Sequence, residues 1–358
     1  MSLSIAFFGS SLVSAYWNGA ATYYRGVLQA LAAKGHRITF YEPDAYDRQR
    51  HRDIPDPDWA RVVVYPATED GIEHALEKAR NSDLLVKASG VGVFDALLEA
   101  RIPVLKRPCA IAAFWDVDAP ATLDRIAADR DDPSRKLIPD YDIVFTYGGG
   151  PPVVAAYRTF GARICVPIYN GLDPATHYPG TRDPRFACDL GLVANRLPDR
   201  ERRIGEYFFS VAAELRERDF VLAGSGWGDK KMTPNVRYVG HLYTADHNAF
   251  NASALAVLNV SRDSMAAYGY SPATRVFEAA GAGACIITDA WEGIAMFFEP
   301  GREILVAKSG PEVAEHLARL TPREAQRIGA AARDRALAEH TYARRVALVE
   351  QVLAGRAS

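Results

Sequence analysis

Short apolar runs alternate along the chain with stretches whose apolar residues recur every three or four positions. Ser4 to Gly9 (SIAFFG) is apolar throughout and reads as a strand buried on both faces. Thr22 to Lys34 has helical periodicity and closes at Gly35, and Arg37 to Tyr41 is the next strand. Together they predict a β-α-β unit. Arg61 to Tyr65, Leu84 to Lys87, Val104 to Lys106, Ile143 to Thr146 and Arg163 to Val166 read as further strands, with helices between most of them. That is the pattern of a parallel sheet covered on both sides.

The pattern then restarts. Asp189 to Val193, Phe220 to Ala223, Arg237 to Val239, Leu255 to Val260, Cys285 to Thr288 and Ile304 to Val306 predict a second set of strands. Helices are expected over Arg202 to Arg218, Ser271 to Ala280, Pro311 to Leu320 and Ala325 to Leu353. The predicted fold class is α/β, with two Rossmann-like domains facing a central cleft. Proline, glycine and asparagine cluster between Val166 and Pro184, which sets the boundary. The expected domains are 1–168, 169–340, and a last helix, 341–358, that can return to the first domain.

Composition narrows the class of function. A length of 358 residues agrees with two domains at roughly 150 residues each. The 42 Lys and Arg against 44 Asp and Glu give a charge of −2, without the basic surplus of a nucleic-acid binder. No window approaches 18 consecutive apolar residues, so no spanning helix is expected. The N-terminus lacks a basic n-region, and the four cysteines are far apart with no C-x-x-C. The expected location is therefore the cytoplasm, with reduced thiols. Eight histidines show no ligand spacing, so no metal and no cofactor are expected.

Open parallel sheets bind ligands at the carboxyl ends of their strands. The first strand ends at Gly9 and Ser10, with Asn18 and Gly19 before the helix. These small residues can bring backbone N–H groups to an anion, or can simply serve a tight turn. In Ser271 to Ala280 (SPATRVFEAA), Ser271 is a good N-cap and Pro272 suits the first helical position. Ser271, Arg275 and Glu278 fall on one stripe, opposite Ala273, Val276, Phe277 and Ala280. The polar stripe is expected to face solvent or a cleft. A glutamate there can accept ribose hydroxyls, and an arginine can hold a diphosphate.

The stretch SPATRVFEAAGAGACIITDAWEGIAMFFEPGREILV, Ser271 to Val306, resembles the CgeB-like glycosyltransferases, GT-B relatives of the large family 4 group. Tyr141 to Ala162, Tyr169 to Pro179 (YNGLDPATHYP, containing Asn170 and Gly171) and Val239 to Ser264 resemble the corresponding segments of that group. The resemblance implies a glycosyltransferase taking a nucleotide-diphosphate sugar. Its acceptor is not specified. It implies that Glu278 binds the donor ribose. It places Asn195, Arg196 and Arg275 at the diphosphate, with Gly226 in the neighbouring loop. It puts Leu242 and Tyr243 at the base, and Tyr270, Ser271 and Thr274 around the donor. The family 4 pattern has two glutamates separated by seven residues, and Tyr270 stands at the first of these positions. Asp116-Val117-Asp118 is a D-x-D sequence. It is read as a base or sugar contact near the acceptor, as a cation site, or, for Asp118, as a helix cap. The alternatives in function are a nucleotide-sugar epimerase of the same fold and a non-catalytic two-lobed sugar-binding protein.

Overall fold

Ile5, Ala6, Phe7 and Phe8 are almost wholly inaccessible, as a central strand with helices on both faces requires. The computed structural model describes residues 2–16 and 18–357. Residues 1, 17 and 358, which the expected domain ranges include, lie outside the described residues. The chain divides into two units, Met1–Tyr169 with Tyr342–Ser358, and Asn170–Thr341.

The first unit holds strands β1 (Ser4–Phe8), β2 (Arg37–Asp44), β3 (Ala60–Pro66), β4 (Leu84–Ala88), β5 (Ile111–Asp116), β6 (Ile143–Thr146) and β7 (Cys165–Pro167). Their order is β3-β2-β1-β4-β5-β6-β7, all parallel, with Phe7 paired to Phe40 and Val86. The order reverses between β1 and β4, which is the switch point of a doubly wound sheet. The core gathers around Trp115, whose indole N–H donates to the Tyr23 hydroxyl at 2.9 Å. Tyr23 in turn donates to the Ile168 carbonyl at 2.6 Å. The helices Ala21–Ala33 and Tyr342–Ala357 both pack in this unit. Their approach depends on Gly26, where a Cβ would lie 2.2 Å from the Tyr342 ring.

The expected strand Val104 to Lys106 does not form. Val104 and Leu105 end the helix Asp95–Leu105, and β5 supplies the strand instead. Pro103 made the run look non-helical, because it cannot donate to the Glu99 carbonyl one turn back. The Tyr141 hydroxyl fills that gap, donating to the Glu99 carbonyl at 2.9 Å.

The second unit holds β8 (Cys188–Val193), β9 (Phe220–Ala223), β10 (Val236–Tyr238), β11 (Ala254–Asn259), β12 (Ile286–Asp289) and β13 (Leu305–Ala307). Their order is β10-β9-β8-β11-β12-β13, again parallel, with the switch point between β8 and β11. Leu190, Leu192, Phe208, Phe220, Leu258 and Ile287 form the centre of its core. Burying each such side chain contributes about 1.5–3 kcal/mol.

Two helical expectations shift. The helix expected from Arg202 begins at Pro198, a residue suited to the first turn, and runs to Glu214 through a π-helical segment, Gly205–Phe209. The stretch Ala325 to Leu353 is two helices, Pro322–Glu339 and Tyr342–Ala357. They part at His340, whose carbonyl accepts from the Leu172 N–H at 2.7 Å. The His340 ring packs among Phe277, Phe297 and Phe298. Among the described residues no helix is long and apolar enough to cross a membrane.

Candidate functional site

The carboxyl ends of β8 and β11 flank the switch point of the second sheet. The loops after β8 and β9 are tied together there. Asn195 Oδ1 accepts from the Ser225 N–H, and the Arg196 N–H donates to the Ser225 carbonyl, both at 2.9 Å. A Cβ at Gly226 would sit 3.1 Å from the Arg196 Cβ. The Arg196 guanidinium is neutralised locally, by Asp229 and Glu201, each at 2.8 Å. These two carboxylates hold its pKa above the usual arginine value.

Arg200, in the first turn of the helix that begins at Pro198, is placed differently. Its Nη2 donates to the Asn195 carbonyl at 2.9 Å, while its buried Nε has no partner. Burial, and then the neighbouring Arg275, push its pKa down to about 10. Arg262, immediately after Ser261 beyond β11, adds a third positive charge to this group and pairs with Asp199. Like charges gathered in a partly dry site favour an anion that can answer them. Asp289 does not supply that anion. It is fully buried, held by Arg203 at 2.5 Å, and it accepts from the Ser261 N–H and hydroxyl at 3.0 and 3.2 Å.

Arg275 and Glu278 lie on the helix Thr274–Gly281. Ser271 is not its cap. Ala273 holds the cap position, and the Ser271 hydroxyl donates to the Gly269 carbonyl at 2.9 Å. The start of the helix is fixed by Asn170. Its Oδ1 accepts from the Thr274 hydroxyl at 2.9 Å, and its Nδ2 donates to the Pro272 carbonyl at 3.2 Å. Gly171 is buried beside it. Val276, Phe277, Ala279 and Ala280 enter the core as the pattern predicts. The polar stripe does not look into open solvent, because the side chains of Arg275 and Glu278 are only 21% and 9% exposed.

Glu278 meets three cationic or ionisable neighbours. Arg275 Nη2 is 4.0 Å from its Oε2, and His177 Nε2 is 3.9 Å from its Oε1. His177 Nε2 is also 3.4 Å from His247 Nδ1. Burial pushes the Glu278 carboxyl up, but His177, Arg275 and His247 together hold it below its usual value. Burial is the main cause that brings His247 down to about 4. The Thr176 hydroxyl donates to the Asp173 carbonyl, so it is placed to accept from His177 Nδ1–H at 2.9 Å. His177 Nε2 faces His247 Nδ1 and Glu278 Oε1. The three ligand atoms lie within 4.8 Å of one another, a donor set that suits zinc or a similar divalent ion. The histidines come from the segment after Asn170 and from the helix Thr244–Ser253, so sequence spacing does not reveal them. Just before that helix, Leu242 is buried, and exposed Tyr243 meets the His241 ring edge-on at 4.6 Å.

In the first unit the D-x-D pair splits. Asp116 is fully buried and accepts from Tyr157, Ser89 and Thr122 hydroxyls at 2.5, 2.7 and 3.2 Å. It also accepts from the Asp118 N–H at 2.9 Å. It anchors the end of β5, with both carboxylate oxygens engaged in hydrogen bonds. Asp118 is half-buried at the cap position of the helix Ala119–Ala128, without a side-chain capping bond. At the β1 turn, the Ser10 hydroxyl donates to Asn18 Oδ1 at 2.9 Å, and Asn18 Nδ2 donates to the Ser11 and Ser14 carbonyls. A Cβ on Gly9 would strike the Phe40 ring at 2.5 Å, whereas Gly19 has open space around it. These residues close the turn, and Gly19 alone is exposed.

Residues 200–351 match a family model described as glycosyl transferase-like. No curated protein matches the chain in sequence. Solved structures resemble it over nearly its whole length. Sucrose-phosphate synthase from Thermosynechococcus elongatus aligns with a TM-score of 0.70 at 15% identity, covering 98% of each chain. Anabaena HepE, solved in complex with UDP-glucose, aligns with a TM-score of 0.70 at 13% identity, covering 99% of this chain and 100% of its own. AviGT4, a glycosyltransferase of avilamycin A biosynthesis, aligns with a TM-score of 0.59 at 17% identity, covering 98% and 96%. The fold is therefore of the GT-B type, with two parallel α/β units, and residues 200–351 are glycosyl transferase-like in sequence.

Proposed function

We propose that this protein transfers a sugar, a hexose in the simplest case, from a nucleotide-diphosphate sugar to an acceptor. The single observation that carries the reading is the group of Arg200, Arg262 and Arg275 at the switch-point end of the second sheet, beside buried Glu278. Asp199 pairs with Arg262 and Glu278 stands beside Arg275, and a diphosphate brings the further negative charge that three gathered guanidinium groups can hold. Guanidinium groups stabilise the negative charge that grows on the leaving diphosphate as the glycosidic bond breaks. Glu278, held ionised, accepts the ribose hydroxyls, and His177 and His247 orient it. Tyr243 lies against the base. Asp118 is the carboxylate on the acceptor side.

The complexes and functions named for the structural neighbours support a UDP-sugar donor, and the TRVFE segment supports the CgeB-like branch. With arginines at the diphosphate, the reaction needs no metal there. Four unpaired cysteines fit a reducing compartment, the cytoplasm. The test is a panel of nucleotide sugars incubated with candidate acceptors, with and without EDTA, reading free nucleoside diphosphate and product anomer. Transfer that survives EDTA is expected. Absence of turnover and of binding across the panel contradicts the reading. Loss of transfer with EDTA, restored by zinc, reassigns His177, His247 and Glu278 as metal ligands.

A further inference from the structure

Tyr270 holds a left-handed backbone, φ 46°, which residues with a side chain rarely adopt. Its surroundings are cut to admit it. A Cβ on Gly293 would lie 2.2 Å from the Tyr270 ring, and one on Gly269 would lie 2.8 Å from the Glu292 Cβ. Both glycines are themselves left-handed, with φ of 91° and 67°. What this arrangement secures is a pair of hydrogen bonds to Glu292. The Tyr270 N–H donates to the Glu292 carbonyl at 2.6 Å, and the Tyr270 hydroxyl donates to Glu292 Oε1 at 3.0 Å.

A plain turn would be served with less strain by glycine at position 270. Strained residues persist where the surroundings over-determine them, and they gather at ligand sites. The Tyr270–Glu292 pair joins the segment entering the helix Thr274–Gly281 to the loop leaving β12. Both lie at the carboxyl ends of parallel strands, the edge of the sheet that takes ligands. Arg275 follows five residues after Tyr270, in the first turn of that helix.

We infer that Glu292, oriented by Tyr270, binds hydroxyl groups of the sugar carried by the donor. The inference rests on the donor-site reading above and deepens it. Glu292 is exposed, and its Oε2 makes no hydrogen bond among the described residues. With Oε1 fixed by the phenol, the carboxylate is presented as an oriented acceptor. Neighbouring sugar hydroxyls are paired donors, and bonds from them to an ionised oxygen are charge-assisted. A nucleoside diphosphate without sugar has no group for this carboxylate. Glu292 therefore reads the sugar and not the nucleotide. It also accounts for the tyrosine at the position where the resembled pattern has its first glutamate, since the carboxylate is supplied from residue 292.

The test is calorimetry of wild type, Glu292→Gln and Tyr270→Phe with UDP and UDP-glucose, and with the GDP, ADP and dTDP counterparts. For the sugar form that wild type binds most tightly, Glu292→Gln is expected to weaken binding about tenfold or more. Its affinity for the free nucleoside diphosphate should stay within about twofold, and Tyr270→Phe should show a smaller loss of the same kind. Equal binding of the sugar form by wild type and Glu292→Gln overturns the assignment and leaves the donor site standing. Equal loss for sugar form and free nucleotide makes the pair a structural brace and also overturns it. No binding of any compound by wild type overturns the donor site itself.

Discussion

Glu278→Gln should move two ligands in opposite directions. The amide keeps the shape of the side chain and removes its charge. In the proposed site the carboxylate accepts ribose hydroxyls, and a hydrogen bond to a charged group contributes about 1.5–3 kcal/mol. Its loss should weaken UDP binding by roughly 10- to 150-fold. The same carboxylate stands 4.0 Å from the Arg275 guanidinium and competes for it. A unit-charge pair at that distance interacts by about 4 kcal/mol at an effective dielectric of 20. Releasing a tenth to a third of that strengthens binding of a bare diphosphate about two- to tenfold. Calorimetry with UDP and with pyrophosphate, at one ionic strength, reads both effects. The expected result is weaker UDP and tighter pyrophosphate. Unchanged UDP affinity would remove Glu278 from the ribose. A parallel loss of both ligands would mean that Glu278 props up the site and does not contact the nucleoside.

Other substitutions separate structure from chemistry. Asp116→Asn disturbs four buried hydrogen bonds and should cost about 1–3 kcal/mol of stability in denaturant melts, with kcat of the folded protein within about threefold of wild type. A normal melt with kcat abolished would return Asp116 to the reacting centre. Lys87, fully buried on β4, reaches Asp95 at 2.5 Å and Glu99 at 3.0 Å. Lys87→Met strands these carboxylates and should cost about 3–5 kcal/mol, read from urea unfolding; an unchanged midpoint would refute the pairing. Asp53 tests pH dependence. Burial would raise its carboxyl, but Arg25 and the Ala15 N–H outweigh that and hold it below its ordinary value of 3.8. A depressed folded pKa adds stability above the ordinary value, lost as pH falls through the folded one. The pair is partly exposed, so the gain of wild type over Asp53→Asn should be about 0.5–1 kcal/mol at pH 7 and vanish by about pH 2. A gap that persists in acid would assign the effect to packing.

The strands were legible because their two buried faces leave near-continuous apolar runs such as SIAFFG. The failures have physical causes. Pro103 hid the end of a helix, because the partner of the Glu99 carbonyl, Tyr141, lies 42 residues away. Ser271 looked like a cap, but Asn170, from a distant segment, fixes where that helix starts. Among the arginines, sequence cannot tell Arg196 from Arg200. What distinguishes them is that Asp229 and Glu201 turn toward the first. Arg262 was within reach, because it follows closely on the predicted strand Leu255 to Val260, and the carboxyl ends of such strands take ligands. His177 and His247 were not, since they stand 70 residues apart and only the fold brings them together beside Glu278. Asp116 shows the converse, a chemical motif in sequence that the fold spends on burial.

The central claim is that Arg200, Arg262 and Arg275 receive a nucleoside diphosphate. Its most direct test is a calorimetric titration of UDP, GDP, ADP and dTDP into wild type and Arg275→Ala. The account predicts saturable one-to-one binding of at least one of them by wild type, weakened tenfold or more by Arg275→Ala with its melting temperature kept; the absence of heat from all four with folded wild type, or equal binding by Arg275→Ala, would contradict it.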